Sequence, residues 1–233
     1  MITAEYRALN EAKILETLER LRDRIGERFP DSGLKRVSEE LLAVGADVSQ
    51  TVNYLRAPNW PIRAVAGLAI VVMVTVLGAL LKTLQLPKVH GLTDVIPLLN
   101  DSINDIVFLG IAVYFLITIE RRLKRRRALG VIHQLRSLAH VVDMHQLTKD
   151  PERMLSPEPS TASSPERIET PAKLGRYLDY CSELLSVASK LAALLVQYFN
   201  DEVLLSAVDE IEGLTTGLQG KIWQKIRLLD RTS

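Results

Sequence analysis

The chain is poor in the residues from which most recognisable sites are built. It has one cysteine in 233 residues, Cys181. That excludes an intramolecular disulfide framework and any multi-cysteine zinc site within one copy. Aromatic residues make up 5%, too few for stacking platforms that hold single-stranded nucleic acid. Neither sign of charge is in excess, with 29 Lys and Arg against 28 Asp and Glu, which argues against a generally basic nucleic-acid binder and against an acidic disordered chain. There is no GxSxG, P-loop, GxGxxG, HExxH or CxxC motif. No catalytic residue and no cofactor is therefore expected. Sustained polar–apolar alternation and Asn-Gly or Asp-Gly turns are missing too, so no strand is expected. The segment Met1–Pro30 is rich in Glu and has no apolar stretch of the kind a secretory signal needs.

What the chain does have is two uncharged apolar runs. Ala64–Leu81 is eighteen residues long with only Thr75 polar. At about 1.5 Å per residue it reaches about 27 Å, and flanking Ile62 and Leu84 extend it to bilayer thickness. Trp60 suits the interfacial belt beside it, and Pro58 and Pro61 break the preceding helix. The second run, Ile106–Ile119, has fourteen residues. It is preceded by the capping pattern Ser102-x-x-Asp105 and followed by Glu120, then Arg121, Arg122, Lys124, Arg125, Arg126 and Arg127, whose long stems extend a span by snorkelling. The expectation is a two-span hairpin, with spans at about 62–84 and 103–120 and a short loop at 85–102. Positive-inside counting places the basic run in the cytoplasm and, with two spans, both termini as well. The same run suits anionic lipid headgroups. A bacterial inner membrane is the expected location.

The remaining segments read as helices. Ile14, Leu18, Leu21 and Ile25 form one stripe; after the turn Phe29-Pro-Asp-Ser-Gly33, Leu34, Val37, Leu41, Val44, Val48 and Val52 form another. Residues 1–57 are thus expected to form a helical hairpin. Leu123, Leu129, Ile132, Leu135, Leu138, Val142 and Met144 continue the second span as a juxtamembrane helix over 121–149, with Gly130 as a possible weak point. The Pro- and Ser-rich stretch 150–171 reads as a linker, in which Ser156, Ser164 and Thr170 precede prolines. Residues 172–233 read as a second hairpin: Thr170-Pro171 is an N-cap and N1 pair, Asn200-Asp201 marks a turn and a new cap, and Gly213, Gly217 and Gly220 offer points at which the last helix bends or splits. The fold class is all-α: a transmembrane hairpin with a cytoplasmic bundle or coiled-coil-like domain made from both ends of the chain.

Three patterns carry candidate function. His133, Arg136, His140 and Asp143 share one helix face and read as a polar seam between helices. His140 and Asp143 stand at i and i+3, within reach of one metal ion, but a complete site would need ligands from elsewhere, so no metal is assigned. Tyr177, Cys181, Leu184, Ala188, Leu191 and Leu195 repeat at alternating four- and three-residue spacing and read as an oligomer or partner interface, with Cys181 an inert core thiol. The expected function is that of a non-enzymatic membrane protein whose cytoplasmic helices self-associate or bind a protein partner, without nucleic acid. The alternative is a homo-oligomeric pore or effector gated by those helices, with the basic run at its mouth.

Overall fold

The computed structural model describes residues 7–83, 92–151, 162, 168 and 170–230. Among them all regular structure is helical, in six segments: α1 (Glu11–Arg28), α2 (Gly33–Arg56), α3 (Trp60–Thr83), α4 (Leu92–Leu147), α5 (Pro171–Tyr198) and α6 (Glu202–Asp230). The chain divides into two compact units, one made of Met1–Arg56 with Arg125–Ser233, the other of Ala57–Lys124.

The first unit is a five-helix bundle. Its helices start where the sequence supplies caps. The Asn10 side chain accepts from Lys13 N, Ser32 Oγ from Lys35 N, Thr170 Oγ1 from Lys173 N and Asp201 Oδ1 from Leu204 N. Pro171 occupies the first turn of α5, where its missing N–H costs nothing. Helix direction alternates. Glu11 near the start of α1 meets Ser49 and Arg56 near the end of α2. Arg127 of α4 meets Gln50 and Tyr54 of α2, while His145 abuts Gly33. Arg24 of α1 pairs with Glu183, and Leu9 is tied to Gln197, so α5 runs opposite to α1. Gln219 of α6 bonds Ser182 of α5.

The hub is α5. Leu174, Leu178, Cys181, Leu184, Leu185, Leu191, Leu194 and Leu195 are all buried, on several sides of the helix. Between them Arg176 and Lys190 are exposed, and Asp179, Glu183 and Ser186 are half-buried. Around it α1 buries Ile14, Leu18, Leu21 and Ile25, and α2 buries Leu34 through Leu55 at the spacing read from the sequence. Gly45 lets α2 pack tightly on α1: a Cβ there would lie 2.9 Å from Leu15 Cδ2. Phe29, at the α1–α2 turn, stands edge-on to Tyr177 with ring centroids 5.3 Å apart.

In the second unit α3 has an apolar surface that nothing covers. Within Gly33–Val76 an 18-residue window has a mean hydropathy of 1.6, and none of it is buried. Among the described residues this is the one stretch long and apolar enough to cross a membrane. No second stretch of this kind occurs among the described residues, so the expected return span at Ile106–Ile119 is not established.

Several sequence expectations change. Helix α4 begins at Leu92, so Ser102 and Asp105 lie inside a helix and do not start one, and the expected loop is helical from 92 onward. Residues 84–91 and most of the linker, including Ser156 and Ser164, lie outside the described residues. Helix α6 runs unbroken through Gly213, Gly217 and Gly220, and α4 through Gly130.

Candidate functional site

The densest polar cluster in the second unit centres on Glu120. Arg63 Nε donates to Glu120 Oε2 at 2.6 Å, and the backbone N–H of Asn59 donates to Oε1 at 3.1 Å. Lys124, one turn further along α4, reaches Oε1 at 3.1 Å and donates to the Ala57 carbonyl at 2.8 Å. The start of α3 is thereby fastened to α4 by one carboxylate held by two cations and a backbone donor. The local reason is spacing: Glu120 and Lys124 stand at i and i+4 on one face, and the Pro58-Asn59 break before α3 leaves a backbone N–H to be satisfied. Pattern reading misses this cluster. Its one sequence signal is a lone acid placed directly before six bases, Arg121 to Arg127.

The basic run is divided in its roles. Lys124 is buried in the cluster just described. Arg125 donates to Asp201 Oδ2 from Nε at 3.0 Å and from Nη2 at 2.7 Å, which anchors the α5–α6 corner to α4. Arg127 donates to Gln50 Oε1 and lies over the Tyr54 ring at 4.7 Å. Arg122 lies over the Phe115 ring at 5.1 Å. Arg121, Arg122 and Arg126 are exposed, as is Trp60 at the head of α3.

Of the row His133, Arg136, His140 and Asp143, Arg136 is the member that reaches another helix. His133 and His140 are exposed. Arg136 bonds Glu210 of α6 at the bundle edge, and Asp143 accepts from Gln146 Nε2 at 2.6 Å. The face of α4 that enters the core is Ala128, Val131, Ile132, Leu135, Ala139 and Val142. No group of three or more His, Cys, Asp or Glu side chains able to hold a metal occurs among the described residues.

The histidine that does pack between helices is His145. A Cβ on Gly33 would lie 2.2 Å from its Cε1, so a larger first residue of α2 would displace the imidazole. Desolvation, with Arg36 and Lys149 adding repulsion, lowers its pKa. Nearby, Lys225 of α6 donates to the carbonyls of Gln146 and Lys149 at 2.7 and 3.4 Å and so caps the end of α4. Its ammonium is disfavoured by burial. Burial pushes the Cys181 thiol up to about 12 and the Tyr177 phenol upward as well, so neither is poised for chemistry near neutral pH.

No protein-family model, curated protein or solved structure matches the chain. Function is therefore argued from its own surfaces. Tyr177, Cys181, Leu184, Ala188, Leu191 and Leu195, expected to face another subunit, are instead buried inside the chain's own bundle. Their stripe is filled by α1, α2 and α6, so a partner has no access to it. The apolar side chains that remain exposed in the bundle are on α4 and α6, among them Val141, Met144, Leu147, Trp223 and Leu228.

Proposed function

We propose that this chain is a non-enzymatic integral membrane protein that displays a helical bundle at the membrane surface for self-association or binding of a protein partner. The observation that carries this reading is the uncovered apolar face of α3: Val65 is 69% exposed and Leu68 65%, in a window with no buried residue. The core helix of a soluble protein passes a hydropathy test by being buried, and α3 is not buried. In water such a surface would drive aggregation; in lipid it is at its lowest free energy.

On this reading α3 crosses the bilayer and Val107–Ile119 of α4 returns. Trp60 sits in the interface, and exposed Arg121, Arg122 and Arg126 meet anionic headgroups on the cytoplasmic side. Both termini are cytoplasmic, and the membrane is a bacterial inner membrane. The bundle is closed within one chain by α5. Partner binding then falls to the outer faces of α4 and α6, where Met144, Leu147 and Trp223 are exposed.

The test is extraction followed by mass determination. The full chain, expressed in bacteria, is expected to resist alkaline carbonate washing and to need detergent. In nanodiscs it is expected to be a monomer or dimer. A protein that is monodisperse in buffer without detergent would overturn the membrane assignment. A ring of four or more subunits would replace the interaction reading with a conduit.

A further inference from the structure

One face of α4 stays uncovered for about five turns. From Gly130 to Leu147 the exposed positions Gly130, His133, Ser137, His140, Met144 and Leu147 alternate at three- and four-residue spacing, the register of a coiled-coil seam. Met144 is 68% exposed. The Ser137 hydroxyl bonds back to the His133 carbonyl of the same helix, and a Cβ on Gly130 would meet nothing within 4 Å. The opposite side of α4, with Leu135, Ala139 and Val142, is the one that fills the core.

Charge sets this face apart. None of its exposed residues between Gly130 and Leu147 is Asp, Glu, Lys or Arg. The outer surfaces of the other bundle helices all carry such groups, for example Glu19 on α1, Glu40 on α2, Lys190 on α5 and Asp209 on α6. Arg136 and Asp143, which flank the row, are engaged within the chain by Glu210 and Gln146.

An uncharged seam suits one occupant above others. When two parallel copies of a helix pack about a two-fold axis, each seam residue meets its own counterpart, so an acid or a base there would face its own sign. A foreign helix imposes no such condition, because it can answer an acid with a base. Gly130 and Ser137 are small and let two backbones come close, and Met144 and Leu147 add apolar contact further along. On the membrane reading all copies point the same way and α4 is one unbroken helix, Leu92–Leu147, so two copies meet in parallel.

We infer that the Gly130–Leu147 face of α4 is a homodimer interface, a parallel pair with a second copy of this chain in which Gly130, Ser137 and Met144 each meet their own counterpart. The inference rests on the self-association reading and gives it a partner and a surface.

The test is cysteine cross-linking of the full chain expressed in bacteria, at about pH 8, where histidine is neutral. Cys181 is buried and adds no background. G130C, S137C and M144C are each expected to give disulfide-linked dimer under a mild oxidant, at least about tenfold more than E19C on the outer face of α1. Ser137→Arg sets two like charges face to face and is expected to lower the G130C and M144C products at least about tenfold. Because Ser137 is exposed, that change is expected to leave the urea midpoint of the bundle where it was. Product is scored separately in the membrane and soluble fractions: protein recovered without detergent overturns the membrane assignment, whereas absence of linked dimer from both fractions overturns this interface. A link at S137C without G130C and M144C would overturn the parallel arrangement. A link at G217C on α6 in place of all three would leave self-association standing and overturn the α4 face.

Discussion

Leu184 has no exposed surface, and its neighbours on α5 at 181, 185 and 188 are equally enclosed. A change there acts on folding before it can act on association. Leu184→Ala is expected to cost about 2–5 kcal/mol, read as a lowered urea midpoint of the bundle with membrane retention intact. His145 gives a residue-level pH effect of definite sign. Its folded pKa lies below the ordinary 6.5, because burial and the charges of Arg36 and Lys149 disfavour the imidazolium. The unfolded chain therefore takes up the proton first, and stability that is complete above pH 6.5 is lost as the pH falls through the folded value. H145Q is expected to flatten the fall in thermal midpoint just below pH 6.5; an unchanged profile would show that other groups control it. The sequence drew attention to the wrong histidines here. Spacing along α4 aligned His133 with His140, but which side of a helix enters a core is decided by where apolar volume fits, and α4 enters with Ala128 and Ala139. Small residues carry little hydrophobic signal in a pattern, yet they are what allows close approach.

At the scale of elements, much was legible. The stripes of α1 and α2 are buried at the positions their spacing predicts, and the Thr170-Pro171 and Asp201 caps form. What was not legible is closure: the repeat in α5 is regular enough for a coiled coil with another chain, and no local feature says that three helices of its own chain will cover it. Asp201 shows how one residue serves two elements, capping α6 through Oδ1 and holding Arg125 of α4 through Oδ2. Asp201→Ala is expected to cost about 2–3 kcal/mol in urea unfolding, combining a lost cap with a lost buried acceptor. Asp201→Asn retains a capping oxygen and is expected to cost about half as much. If the two cost the same, the Arg125 contact supplies the whole effect. The glycines of α6 teach the converse lesson: Gly213, Gly217 and Gly220 sit in an unbroken helix with open space where a Cβ would be. Glycine permits a bend, and packing along both flanks decides whether one occurs.

For the whole molecule, the apolar face of α3 is the controlling feature. Placing a charge at its centre, as in Val72→Arg, is expected to cost about 2.5–3.5 kcal/mol of insertion free energy and to shift part of the protein out of the carbonate-resistant fraction. The same substitution in a soluble protein would improve recovery from the supernatant, so the two outcomes point in opposite directions. The order of the helices has a further consequence, one of timing. The hub α5 is the fifth of the six described helices, and its last residue, Tyr198, is made 142 residues after Arg56, the end of α2. At about 5–20 residues per second, α1 and α2 wait roughly 7–28 s on the ribosome with Ile14, Leu18, Val44 and Val48 uncovered. For that interval the nascent chain presents a sticky amphipathic pair, and any chaperone that handles this protein meets it then. A ribosome that stalls before Pro171 leaves behind a chain that cannot close its core and stays open to proteolysis.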